Sequence, residues 1–448
     1  MPTGSLALSM LGQEARALLT RLARIKPFAL LMPTVTAAAI SPVAQAAIEQ
    51  YLASGRHKLR GLVGKYLKWL HGYGGLHATP AEAQRRFTFL RMRFNAVLTQ
   101  FDIFSDVLVQ RSEYENGVWL SGLDALAADA LGLPGEYYNA PPVVCYLDRG
   151  HGAAIRRART RLPGGGENPV AVIRVPRERM VGSGIASSLV HEVGHQASAL
   201  LNLANSLRPM LRGMQRNNST QQIAWQLWER WISEILADFW SVAKVGVAST
   251  LGLIGVVSLP RAFVFRMGLD DPHPIPWIRV KLSCAMGRVL YPHPQWDKFA
   301  QLWESFYPTA GLADEILQLL VTLEASMPGF VALLAHHRPN TLKGASLIEA
   351  MSIEERQPAH LAAYYGAWRT DPMRIRAISP SLVFAVLGQA KADGTISPEE
   401  ESRTVAGILN YWALRSTVAR SAVFATAPRK CACGAASGLQ SKFIMTIK

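Results

Sequence analysis

The residues best suited to chemistry lie in Ser188-Leu-Val-His-Glu-Val-Gly-His-Gln196. His191 and His195 are four apart, so on a helix both imidazoles share one face about a turn from each other. Such a pair can grip one divalent cation. Glu192 follows the first imidazole directly, where a carboxylate can take a proton from water on that cation. Ile185, Leu189, Val190, Val193, Leu200 and Leu201 around them are apolar, which predicts a buried helix. Gly194 costs such a helix about 1 kcal/mol against alanine. A residue without a side chain lets another backbone approach the metal face, and that explains the cost.

A second constellation follows in Trp231-Ile-Ser-Glu-Ile-Leu-Ala-Asp-Phe-Trp240. Glu234 and Asp238 are again four apart, in a run rich in Trp, Ile and Leu. An unpaired carboxylate is expensive to bury on such a face. A cation relieves the cost for Glu234. An imidazole N–H relieves it for Asp238, because metal-bound histidines usually donate their other nitrogen to a carboxylate. The expected site is therefore His191, His195 and Glu234 as metal ligands, Glu192 as base, and Asp238 behind one of the two histidines.

This arrangement, HExxH followed by ExxxD, resembles the gluzincin zinc metallopeptidases, the class that includes thermolysin, over residues 169–285. The HExGH form, the string Glu234-Ile-Leu-Ala-Asp238, and His273-Pro274 followed by Arg279 look most like the branch that includes the CAAX-prenyl and heat-shock metallopeptidases. The resemblance implies Zn2+ as cofactor, a protein or peptide as substrate, and hydrolysis by metal-activated water. It implies that a His or Arg beyond the third ligand steadies the oxyanion; His273 is the first nominee and Arg279 the second. It also implies a small sheet whose edge strand pairs with an extended substrate. Val170–Val175 is the candidate edge, and the arginines at 149, 156, 157, 159 and 161 would then favour acidic substrates. The spacing from His195 to Glu234 is longer than in thermolysin, so 203–222 reads as a loop-like insertion able to act as a lid. No third His follows His195 closely, which disfavours the metzincin pattern.

The elements that must position these residues read as mainly α with a small β-sheet (α+β). Residues 1–135 read as a helical N-terminal region and 136–300 as a zincin-like core. Residues 301–370 read as a helical extension, 371–425 as a C-terminal helical module and 426–448 as a basic, disordered tail. In the first region Ala44–Leu52 and Leu59–Leu70 have helical spacing, and Thr79-Pro80 opens a long helix over 80–112. Pro141–Asp148 and Pro169–Val175 read as strands. His336-His337 reads as surface. Ser397-Pro-Glu-Glu400 is a capping box. The string around it resembles the helical tellurite-resistance-type domain. Gln389 and Lys391 stand where an EF-hand needs its first two acids, so calcium is not expected.

Composition bounds the rest. Of 448 residues 49% are hydrophobic and 18% charged, which excludes a disordered chain. A net charge of +15 favours anionic partners, although no nucleic-acid motif is visible. Cys145, Cys284, Cys431 and Cys433 form no disulfide framework, and no signal peptide is recognised, so a cytoplasmic chain is expected. Pro27–Ile48 is broken by prolines and Val245–Leu259 is short, so both read as buried helix and not as membrane spans. A zinc-fold scaffold without turnover and a nucleic-acid-associated protease are the alternative functions.

Overall fold

The computed structural model describes residues 3–25, 35–150, 152–163, 165–179, 182–268, 271–351 and 353–426. Residues Pro27–Thr34 of the first apolar stretch, the Cys431/Cys433 pair and the tail from 427 onward lie outside them. Helix makes up 75% and strand 4%, so helices build the interior and the sheet forms one wall of it.

The chain opens with α1 (Thr3–Arg24), α2 (Pro42–His71), the short α3 (Tyr73–His77) and α4 (Pro80–Val109). Thr79 Oγ1 accepts from Glu82 N at 3.2 Å, as its place before Pro80 predicts. The two helices expected within 44–70 are one. No proline separates them, and the single glycine between them, Gly55, lies against Val97 of α4. Close packing there offsets a weak helix former. α5 (Tyr114–Leu131) then leads to the strands β1 (Val143–Asp148), β2 (Ala154–Arg156) and β3 (Ala171–Pro176).

The sheet separates two cores, and alternation along each strand explains how. Val143, Cys145 and Leu147 of β1, with Ala171, Ile173 and Val175 of β3, join the large core that also takes in Val190, Val193 and Ile235. Val144 and Val172 point the other way, into the core of α1, α2 and α4. The order is β1-β3-β2, with β1 parallel and β2 antiparallel to β3. The expected edge strand is therefore the central one. A run as apolar as PVAVIRV is what a strand covered on both faces requires. The edges are β1 and β2, the latter a short strand inside the basic excursion that hydropathy alone does not reveal.

Next come α6 (Gly184–Leu200), α7 (Leu203–Asn217), α8 (Gln222–Val245) and α9 (Val247–Val257). The insertion expected to be a loop is mostly helix. Leu203, Leu207 and Leu211 recur at four and are buried, in a helix packed against α8. Pro209 sits on the exposed side, where the missing hydrogen bond costs less than that face gains. α6 and α8 are in intimate contact at Gly194. A Cβ built there would lie 2.8 Å from Ala237 Cα and 2.9 Å from both Ala237 O and Trp240 Cβ. The backbone approach anticipated from the glycine is thus made by α8.

α10 (Arg261–Val264), α11 (Pro276–Leu290), α12 (Gln295–Phe306), α13 (Asp314–Ala335), α14 (Leu347–Ala350) and α15 (Pro358–Thr370) complete the large core. Among the described residues α13 is long and apolar enough to cross a membrane. Its Leu320, Leu323, Phe330, Val331 and Leu334 are buried within this core. His337, expected at the surface, is buried with Nε2 2.8 Å from Ser206 Oγ, because the helix ends at Ala335 and the chain turns inward. α16 (Pro380–Ala392) is buried from Ser381 to Ala390 and packs on α9, α8, α15 and α5. α17 (Pro398–Thr426) begins where Ser397 Oγ accepts from Glu400 N at 3.2 Å. Its buried Glu401 accepts from Ser183 N at 2.9 Å and from Ser183 Oγ, at the start of α6.

Two outcomes follow from this packing. Gly194→Val should lower stability by about 1–3 kcal/mol, the cost of overpacking, and should weaken cation binding with it; thermal melts and metal titration read both. Lys244 is buried with Nζ 2.6 Å from Gly132 O. Burial, then the charge of Arg356, depresses its pKa to about 8 from an ordinary 10.5. The unfolded chain binds that proton more tightly, so native stability should rise with pH between those two values. In Lys244→Met that rise should be missing from denaturant melts taken across the same window.

Candidate metal centre

α6 carries His191 and His195 one turn apart, and α8 presents Glu234 and Asp238 one turn apart against them. His191 Nε2 lies 3.2 Å from Glu234 Oε2, and His195 Nε2 lies 3.4 Å from the same oxygen. The three donor atoms fall within 4.8 Å of one another. Zinc bonds of about 2.0–2.1 Å in a tetrahedron put neighbouring ligand atoms about 3.3 Å apart. The two separations at Glu234 match that edge, and two imidazoles with a carboxylate are an ordinary zinc donor set. The residues present therefore fit the cation.

Asp238 supports His191, as its spacing suggested. His191 Nδ1 lies 2.8 Å from Asp238 Oδ1. A carboxylate only accepts, so Nδ1 carries the hydrogen and Nε2 is turned toward Glu234. Arg279, the second nominee for the oxyanion, is engaged elsewhere. Its Nε donates to Asp238 Oδ2 at 2.7 Å and its Nη2 to Oδ1 at 2.8 Å. A buried acid already accepting from one imidazole still has a second oxygen to satisfy, and that need is the signal in the sequence that foretells a cation like Arg279.

Charge is balanced tightly here. Burial opposes ionisation of Asp238, but Arg279 and then His191 hold its pKa well below the usual carboxylate range. Burial likewise opposes ionisation of Glu234, and hydrogen bonds to His191 and His195 outweigh it. Burial also works against a charged His191, yet the Asp238 carboxylate and bonds to both acids push its pKa up to about 9. Glu192 differs: burial dominates and raises its pKa, against the pull of both histidines. Two acids of the cluster are thus locked as anions while Glu192 is drawn toward the range where a base works at neutral pH.

His273 completes the rim. Its side chain is 47% exposed, with Nε2 3.3 Å from Glu234 Oε2 and Nδ1 2.7 Å from Asp271 Oδ1. Asp271 also accepts from the His273 backbone N–H at 2.9 Å, so one acid fixes the loop and the ring together. Asp271 was not singled out in the sequence; Asp271-Pro-His273, an acid held two residues before an imidazole, is the pattern that reveals it. Beside the cluster is a cavity of about 130 Å³, bounded by Gly152, Ala153, His191, Glu192, His273 and Arg279 among others. Gly152 and Ala153 lead directly into the edge strand β2. All the expected site residues are therefore brought together, with Arg279 directed at Asp238.

No family model, curated protein or solved structure matches this chain.

Replacing Arg279 by Met should leave Asp238 buried without its main counter-charge and cost about 3–5 kcal/mol of stability. Replacing Asp238 by Asn should instead lower cation affinity by about 10–100-fold, with less effect on the melt. Calorimetric melting and zinc titration against a competing chelator separate the two.

Proposed function

We propose that this chain is a zinc-dependent peptidase with a zincin-like core. The observation that carries the reading is the convergence of His191 Nε2, His195 Nε2 and Glu234 Oε2 beside a buried Glu192. A zinc ion held by these three donors would lower the pKa of water to about 7 and polarise a peptide carbonyl.

The chain's own residues supply the rest. Glu192 takes the proton of the attacking water and passes it to the leaving amine, a task its raised pKa suits. His273, whose Nδ1 donates to Asp271, in its imidazolium form donates from Nε2 to the oxygen that gains charge as the carbonyl is attacked. Asp238 and Arg279 act from behind and hold His191 in one orientation. An extended substrate backbone pairs with the outer edge of β2, the sheet edge that Gly152 and Ala153 of the cavity wall lead into. The exposed arginines at 156, 157, 159 and 161 border that path and favour acidic side chains there.

The test combines metal analysis with casein digestion, with and without chelator. Native protein should carry stoichiometric zinc and lose activity to the chelator. Glu192→Gln should keep the zinc and lose about 10²–10⁴-fold in rate. Glu234→Ala should lose the zinc. Unchanged digestion by Glu192→Gln would remove the peptidase reading, and full zinc in Glu234→Ala would remove the ligand assignment.

A further inference from the structure

The excess charge of this protein is not spread evenly. Residues 1–100 hold 13 Lys or Arg against 3 Asp or Glu, so +10 of the net +15 lies in the first hundred residues. Between Pro80 and Gln100 the only acid is Glu82, and it takes Arg86 at 3.0 Å.

The outward side of α4 combines this charge with large apolar side chains. Its inward side is Ala83, Phe87, Leu90, Phe94 and Val97, all buried. Arg85, Phe89 and Met92 recur at four and three on the opposite side, flanked by Arg86 and Arg93. Phe89 is 67% exposed and Met92 62%. Just before α4, Tyr73 and Leu76 of α3 are 80% and 77% exposed. Arg86 lies 4.3 Å over the Trp69 ring, which places an aromatic at the same end of the bundle. Gly12 of α1 packs on Leu70 and His71, so the exposed Leu6 and Met10 sit at that end too, within about two turns of Gly12.

We infer that this face of the N-terminal helices docks on an anionic lipid bilayer surface. Arginines draw it to lipid phosphates, and the apolar tips enter the boundary between headgroups and acyl chains. A nucleic-acid surface accounts for the arginines alone. Phosphate binding has no use for exposed Leu and Met side chains, because contacts to the backbone are polar and ionic. The helices lie on the membrane and do not cross it: α4 has a fully buried inner side packed on α2 and α1.

Co-sedimentation of the full chain with vesicles tests this. Binding to phosphatidylglycerol-containing vesicles should exceed binding to pure phosphatidylcholine by about tenfold or more. The double variant Phe89→Ser, Met92→Ser should keep the native circular dichroism and melt, since both side chains are exposed, yet lose most vesicle binding. Arg85→Gln with Arg93→Gln should lose it as well, and serves if the first variant misfolds. Vesicle binding that is absent at low salt, or unchanged in both variants, overturns the inference. So does salt-sensitive binding to duplex or single-stranded DNA that outcompetes the vesicles. Casein digestion is independent of these variants, so failure here leaves the zinc reading untouched.

Discussion

Two carboxylates buried in a tryptophan-rich helix are the constraint on which the rest of the large core depends. Glu234 and Asp238 lie among Trp231, Ile235, Phe239 and Trp240, all buried. Water cannot solvate them there, so the fold must. The result is a chain of compensation from Arg279 to Asp238 to His191 to Glu234, with His195 and His273 closing on the last oxygen. Each link needs two helices at a fixed distance. That is why a glycine stands at 194 despite its cost to α6: only there can the α8 backbone come near enough for short acids to meet imidazoles.

The site was largely legible because helical spacing is short-range information. Four-residue intervals put His191 with His195 and Glu234 with Asp238 before any tertiary contact is known. The chemistry of unpaired burial then joins the two pairs. Arg279 and Asp271 were harder. Both are named by their neighbours in space, and their neighbours in sequence say only that a proline-rich loop precedes a helix. Arg279 was nominated for the oxyanion, and the structure has its Nε and Nη2 donating to Asp238.

The fold was legible in proportion to how local its signals are. The stripe from Phe87 to Leu108 gave α4 almost to the residue, and the mainly helical class with a small sheet holds. Strand order is a long-range property, and PVAVIRV looks the same to hydropathy whether central or marginal. Its freedom from polar alternation pointed to a centre covered on both faces, in conflict with the edge expected of it. The α7 segment misled through its Asn, Ser, Gly and Pro content. Three leucines at intervals of four outweigh composition once α8 offers them a surface. His337 shows the same limit, because its burial depends on Ser206, 131 residues earlier.

The contact between Glu401 and Ser183 joins points 218 residues apart. Chains emerge from the ribosome N-terminus first, so α6 is made long before the acid that accepts from its first residues. Until α17 has been translated and has docked, the opening turn of the histidine helix lacks that acceptor. The last helix among the described residues thereby seals the start of α6, and a nascent chain that still lacks α17 holds its histidines on a helix with a loose end.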